Sequence, residues 1–162
     1  MKDQLIIKMV LDAWNQYLKR TDDLFLQFTD QDLLKQIAPG KNTAKYLLGH
    51  LTAVHDRMLP LLGLGQPLHP AIHEDFERRP DGDHVNKYST ADLRRQWSEV
   101  NTALNNAMAT LTLDQWFERH NAVSPEDFNK EPHRNKLNVI INRTNHVAWH
   151  YGQLLLIKNK EE

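Results

Sequence analysis

Residues 134–158 read RNKLNVIINRTNHVAWHYGQLLLIK, and this stretch decides the fold. At about 100° per residue, one helical face collects residues at three- and four-residue steps. The members of that face are Leu137, Ile141, Thr144, Ala148, Tyr151 and Leu155. Val139 and Ile157 fall on a second sector, which also holds His146 and His150. A helix that is apolar on two sides is buried on two sides, so the pattern predicts a helix inside a packed bundle.

Three earlier segments carry the same helical periodicity. They span about residues 3–28, 43–62 and 89–111. Asn42 or Thr43 is placed to cap the second helix, and Ser89 to cap the third. No sustained alternation of apolar and polar residues indicates a strand. We therefore predict an all-α fold, a four-helix bundle that forms one domain over residues 1–162.

Two connections of this bundle are long, over residues 63–88 and 117–133. Loops of that length are uncommon in compact domains and are either functional lids or surface crossovers with a short helix inside. Thr112 begins a capping-box pattern, so we expect a short helical turn around Trp116.

The first helix offers a surface for self-association. Its predicted core stripe is Ile6, Val10, Ala13, Tyr17, Leu24 and Phe28. Trp14 and Phe25 fall outside that stripe. An exposed pair of aromatic residues would let two copies pair, so a homodimer is one expectation, although scattered surface aromatics are also normal.

Composition narrows the functional classes. The chain has no cysteine, which excludes disulfides, thiolate ligands and a cysteine nucleophile from these residues and fits a reducing cytoplasm. The net charge of -1 and the lack of a Lys/Arg cluster argue against a nucleic-acid partner. No segment approaches the roughly 20 apolar residues of a spanning helix, and the N-terminus lacks a signal peptide's apolar segment. We expect a soluble cytoplasmic protein without a membrane partner.

Histidine is unusually frequent, with 9 among 162 residues. His146 and His150 are spaced i and i+4 on the fourth helix, so both imidazoles can reach one ion. Chance alone gives about 0.5 such pairs in this chain, and a second pair occurs at His69 and His73, with Pro70 between them. For the second pair we favour ordinary structural histidines in a loop.

His50 lies at the margin of the buried face of the second helix and can supply a third ligand. His55 lies about 140° away on the same wheel and should not serve the same ion. Any single buried-margin histidine is more often a hydrogen-bonded core residue than a ligand. His50, His146 and His150 together in compatible sectors favour a metal site.

These residues resemble a known family. Gly49-His50-Leu51 in the second helix, and HVAWHYGQL at 146–154 in the fourth, are similar to the DinB-like superfamily. The name of that family refers to DNA-damage induction in bacteria. The resemblance implies a four-helix bundle and a divalent metal held by His50, His146 and His150. It also implies a bacterial protein, and members with assigned activity include thiol-dependent S-transferases and a mycothiol-dependent isomerase.

Three neutral imidazoles leave an ion such as zinc with an open position, as in catalytic sites. Zinc or nickel is favoured, although imidazole alone does not choose the metal. Because the chain lacks cysteine, a metal-bound thiolate would come from a low-molecular-weight thiol cosubstrate. His146 is followed by Val147, so the HExxH arrangement of zinc peptidases is absent.

Several residues are candidates for contact with a small-molecule substrate or with the ligands. Arg143 lies three residues before His146 and is a candidate for binding a substrate carboxylate. Glu74 in the long loop is a candidate base or substrate contact. The residues Asn145, Trp149 and Gln153 are candidates for supporting the ligands.

Three functional hypotheses remain open from the sequence. The first is a metal-dependent transferase or hydrolase. The second is a metal-binding or stress-response bundle without turnover. The third is a purely structural dimeric bundle whose histidines are satisfied internally.

Overall fold

The chain folds into a bundle of α-helices joined by short helical turns. The computed structural model describes residues 1–158, and in that part of the chain no strand occurs. In chain order the helices are α1 (Lys2–Gln27), α2 (Asp30–Leu34), α3 (Ala44–Asp56), α4 (Met58–Leu62), α5 (Thr90–Met108), α6 (Leu113–Trp116), α7 (Pro125–Lys130) and α8 (Lys136–Lys158). Among the long helices α1 packs along α8, α3 packs along α5, and α3 also contacts α8. The predicted all-α bundle is confirmed.

The helices begin where side-chain caps are available. Thr43 accepts a hydrogen bond from the backbone N–H of Tyr46, and Ser89 accepts one from that of Asp92. The hydroxyl and the backbone N–H of Thr43 also donate to Asp81, at 2.8 and 2.6 Å. This carboxylate therefore ties the end of the 63–88 connection to the start of α3.

The predicted second helix, over 43–62, is in fact two helices that meet at Arg57. Pro60 explains the break. It has no N–H to donate to the carbonyl of Asp56, and its ring crowds that carbonyl. The helix thus ends at Asp56 and restarts one residue later as α4, which closes at Gly63 in the left-handed conformation, φ 72°.

Helix α3 is the centre of the bundle. The sequence predicts one apolar stripe for it, but every residue of α3 except His50 is buried. The reason is that α3 is covered by α5, by α8, by α2 and by the 63–88 connection. His50, the predicted ligand, is therefore the one residue of α3 that is partly exposed.

The prediction of an exposed aromatic patch on α1 is wrong. Trp14 is fully buried and Phe25 is 2% exposed, whereas Ile6 of the predicted core stripe is 47% exposed. The indole N–H of Trp14 donates to the side-chain oxygen of Asn105, on α5. Helix α1 buries a broad sector because it packs on α8 and also reaches α5. A helical wheel drawn from the sequence shows where the apolar residues lie, but not how wide the buried sector is. The homodimer stays a prediction without this patch.

Both long connections contain helical turns. The first holds a π-helical turn (Glu74–Arg78) and a 3-10 turn (Asp83–Lys87), and the second holds α7. Asn121 anchors the second connection on α4, through hydrogen bonds to the carbonyls of Leu61 and Pro60. None of the helices within residues 1–158 combines the length and apolar content needed to cross a bilayer.

Candidate metal centre

Helix α8 presents two imidazoles from successive turns. Residues four apart lie on the same helical face. Nε2 of His146 and Nε2 of His150 lie 3.1 Å apart. The planes of the two rings are perpendicular, with centroids 4.6 Å apart, so the edge of one ring faces the other.

Helix α3 brings the third ring to the same point. Nε2 of His50 lies 3.3 Å from Nε2 of His146. Within residues 1–158 these three histidines are the group whose ligand atoms all lie within 4.8 Å of one another. The structure therefore brings together the three predicted ligands, of which His50 lies 96 residues before His146 in the chain.

Hydrogen bonds at the far side of two rings decide which nitrogen faces inward. Nδ1 of His50 donates to the backbone carbonyl of Phe76 at 2.7 Å. Nδ1 of His150 donates to the side-chain oxygen of Gln153 at 2.8 Å. Because a carbonyl oxygen accepts, each Nδ1 carries the proton, and each neutral ring then directs its Nε2 lone pair at the common centre.

The donor set fits a divalent cation. With bonds of about 2.0–2.1 Å and tetrahedral angles, two nitrogens on one zinc ion lie about 3.3 Å apart. The observed separations of 3.1 and 3.3 Å match that value. Nε2 of His146 can donate a proton to only one of its two neighbours. In at least one of the two close contacts, therefore, two nitrogen lone pairs face each other with no hydrogen between them. A shared cation removes that repulsion.

His146 differs from the other two ligands on its far side. Its Nδ1 is buried and has no hydrogen-bond partner within residues 1–158. Metal-binding histidines usually donate this second N–H to a carbonyl or carboxylate. His146 is therefore held by packing and by its two neighbours.

Burial and mutual repulsion keep the three rings neutral. Burial, followed by the neighbouring His150 and His50, lowers the pKa of His146 to about 3. Burial, followed by His50, lowers the pKa of His150 to about 4. Burial also lowers the pKa of His50, and the hydrogen bond to Phe76 partly opposes the shift. Neutral imidazole is the form that binds metals.

A cavity of about 400 Å³ opens beside the three rings. Its remaining lining residues are Ile37, Lys41, Asn42, Trp149 and Gln153. The cavity is large enough for a small molecule in contact with the histidine nitrogens. Its described lining contains no carboxylate.

The other predicted site residues lie in different places. Arg143 is half-buried near the rings, where its charge lowers the pKa of His146, but it does not line the cavity. Glu74 is exposed and pairs with Arg78 at 3.4 Å. The substrate role of Arg143 and of Glu74 stays a prediction. Among the candidate supports Gln153 holds His150, Trp149 packs on its ring, and Asn145 is exposed.

The second pair of histidines is engaged elsewhere. Nε2 of His73 lies 2.9 Å from Asp56 and its Nδ1 lies 3.0 Å from Glu77. Nε2 of His69 lies 2.9 Å from Glu99 on α5. Both rings thus pair with carboxylates, as expected for structural histidines.

The support of His50 by Phe76 is a feature that the sequence analysis missed. A Cβ on Gly49 would lie 2.3 Å from the Phe76 ring, so only glycine lets the π-helical turn approach α3 here. The Tyr46 hydroxyl, at 2.7 Å from the carbonyl of Arg79, holds the end of the same turn. A glycine inside a helix, directly before a candidate ligand, was the available signal.

One comparison with known proteins identifies the family of this chain. The sequence profile of the DinB superfamily matches residues 11–154. No curated protein gives a significant match. The matched range includes all three converging histidines and both helices that carry them. The chain therefore belongs to the DinB superfamily.

Proposed function

We propose that this protein is a metal-dependent enzyme, with His50, His146 and His150 as the ligands of one divalent cation. The observation that carries the proposal is the convergence of three imidazoles beside an open cavity, with Nε2 of His146 at 3.3 Å from that of His50 and at 3.1 Å from that of His150. A closed structural site would use four protein ligands, whereas three leave a position for a substrate atom.

The ion that we favour is zinc or nickel. Neutral imidazole nitrogens suit both, and no thiolate or carboxylate ligand joins them within residues 1–158. Bound there, such an ion would lower the pKa of a coordinated water or thiol. Phe76 and Gln153 hold two of the three rings in the binding orientation, so little reorganisation accompanies binding.

We further propose that the activated group is a low-molecular-weight thiol, which gives transferase chemistry. Hydrolysis is served by a positioned general base, yet the described cavity lining contains no carboxylate and all three of its histidines are ligands. A thiol needs no such base once its pKa is lowered. The thiol proton goes to solvent, the sulfur–carbon bond forms, and the leaving group departs from the electrophile with its electron pair.

The cytoplasm is the compartment that we propose. Low-molecular-weight thiols are kept reduced there, and the chain has no cysteine that would compete with them for the metal.

The test is adduct formation by the metal-loaded protein. Protein loaded with zinc or nickel is incubated separately with bacillithiol, mycothiol and glutathione, each with the electrophile monochlorobimane, and the fluorescent thioether is followed. We expect turnover above the uncatalysed rate with at least one thiol, lost in His50→Ala and kept in the control His69→Ala, whose ring pairs with Glu99.

Two other outcomes identify the alternatives. Stoichiometric metal without an adduct from any thiol supports a metal-binding protein without turnover. Failure to retain one equivalent of any divalent ion supports a structural bundle and contradicts the proposal.

A further inference from the structure

The outer wall of the metal-site cavity is a tight turn over residues 36–43. The backbone N–H of Ile37 donates to the carbonyl of Asn42, and that of Lys41 donates to Ala38, both at 3.0 Å. Gly40 adopts φ 70°, a conformation that side chains rarely allow, and its N–H donates to the side chain of Gln36. The turn is closed by its own hydrogen bonds, so it presents Lys41 and Asn42 to the cavity in a defined place.

Two side chains of this turn, those of Lys41 and Asn42, have no partner among residues 1–158. Within residues 1–158 the side chains of Lys41 and Asn42 form no hydrogen bond, and the Lys41 ammonium has no carboxylate within 4.0 Å. By contrast, the ammonium group of Lys136 pairs with Glu118 at 2.8 Å. An unpaired cation and an unpaired amide on the wall of a cavity are suited to an anionic ligand.

An aromatic surface completes the cavity. Trp149 is 61% exposed, whereas the side chains of Trp14, Trp97 and Trp116 are all buried. Its ring packs against the ring of His150, with centroids 4.7 Å apart. A molecule lying on this indole is therefore next to one of the metal ligands. Exposed indoles commonly bind apolar or planar groups.

We propose that Lys41, Asn42 and Trp149 form the substrate subsite of the metal centre, and that the subsite takes a small molecule with a carboxylate. The carboxylate binds Lys41 and Asn42, and the carbon skeleton lies on Trp149. This inference rests on the proposed function and adds the chemical class of the thiol: an anionic one. It also replaces Arg143 as the carboxylate-binding cation, since Lys41 lines the cavity and Arg143 does not.

The experiment compares two thiols of the same length that differ in charge. Cobalt-loaded protein is titrated with 3-mercaptopropionate and with 3-mercapto-1-propanol, and binding is followed by the thiolate-to-cobalt absorption. We expect the carboxylate to lower the Kd at least tenfold. Lys41→Gln should reduce that ratio to threefold or less, while Lys130→Gln, the same charge change on α7, should leave it unchanged.

Two results would overturn the subsite and leave the thiol proposal standing. One is a ratio near one in the unaltered protein. The other is a ratio that responds to Arg143→Gln and not to Lys41→Gln.

If neither thiol binds the metal, the thiol proposal fails, and the subsite is judged separately. Propionate, which has no thiol, is then titrated against the metal-loaded protein while Trp fluorescence is recorded. A saturable change that is lost both in Trp149→Phe and in Lys41→Gln supports the subsite. No change, or one that Lys41→Gln leaves intact, overturns it.

Discussion

Two pairs of histidines in this chain have the same spacing and opposite surroundings. His146 and His150 direct their Nε2 atoms at each other and at His50. His69 and His73 direct theirs at two different carboxylates, on Glu99 and on Asp56. The spacing therefore brings two rings close together in both pairs. The neighbouring side chains decide whether the ring nitrogens can share a cation or form hydrogen bonds.

The backbone explains part of the difference. His146 and His150 lie on one uninterrupted helix, α8, which keeps residues four apart on one face. Pro70 follows His69, and His73 lies at the start of the π-helical turn, so no helix spans the second pair. The second pair instead anchors the 63–88 connection to α3 and α5. We therefore expect the second pair to matter for stability, and the first pair, as the proposed ligands, for metal binding.

Removing one member of each pair should give the largest contrast. We expect His146→Ala to weaken divalent metal binding about a thousandfold, because four-ligand structural zinc sites gain about 10–16 kcal/mol, which is a few kcal/mol for each ligand. His73→Ala should leave the affinity unchanged. Competition with a chromophoric chelator measures both. Equal losses in the two variants would contradict the division between the regions.

The reverse contrast should appear in the stability of the metal-free protein. Asp56 is fully buried and accepts hydrogen bonds from the backbone N–H groups of Leu68 and His69 and from His73. We expect Asp56→Ala to lower the free energy of unfolding by about 3 kcal/mol in urea, since three donors lose a buried acceptor. His146→Ala should cost clearly less, and a larger loss there would show that the metal site is needed for folding.

A smaller effect is expected from the contact that supports His50. Gly49→Ala should weaken metal binding about 10–100-fold, because the new methyl group displaces Phe76 and its carbonyl leaves Nδ1 of His50. Gly152→Ala is the matched control, because a Cβ there meets no atom within 4 Å. Alanine favours a helix by about 0.5–1 kcal/mol over glycine, so Gly152→Ala should stabilise the protein and bind metal normally. Equal affinities of the two variants would count against the role of Phe76.

His55 illustrates a third environment for a histidine, and its variant should have the smallest effect. The ring is fully buried between Trp14 and Trp97, and its Nδ1 lies 2.7 Å from the Asn101 side-chain oxygen. Burial lowers the pKa of His55 to about 4. The unfolded chain therefore binds a proton that the folded chain refuses, and stability falls as the pH drops from about 6.5 towards 4.

In metal-free protein we expect His55→Gln to reduce the slope of the unfolding free energy against pH. The reduction is at most about 1.4 kcal/mol per pH unit, which corresponds to the binding of one proton. Urea unfolding at several pH values measures the slope. His133→Gln, a change at an exposed residue, is the control. An unchanged slope in His55→Gln would contradict this role of His55 and assign the dependence to other histidines, such as the three converging ones.

Much of the architecture follows from local sequence patterns. The periodic segments mark α1, α5 and α8, and the start of α3, to within a few residues, and Thr43 and Ser89 cap helices where the sequence predicts it. The wheel also places His50 inward and sets His55 on a different side. Periodicity and capping depend on residues a few positions apart, so one sequence is enough to detect them.

Most features that the sequence analysis predicted wrongly or missed depend on contacts with residues from elsewhere in the chain. Trp14 is buried because α1 meets more than one helix, and α3 is buried all round because four elements cover it. Pro60 did carry a local signal for the break at Arg57, but the length of the apolar stripe concealed it.

By itself, the sequence determined that this chain is helical, which faces of the helices are apolar, and which three histidines lie on compatible faces. Tertiary structure alone decided that Phe76 orients His50 and that Lys41 stands on the cavity wall. The physical reason is the range of each interaction. Helical faces follow from a repeat of 3.6 residues, whereas a hydrogen bond between residues 26 positions apart exists only after packing has brought two segments together.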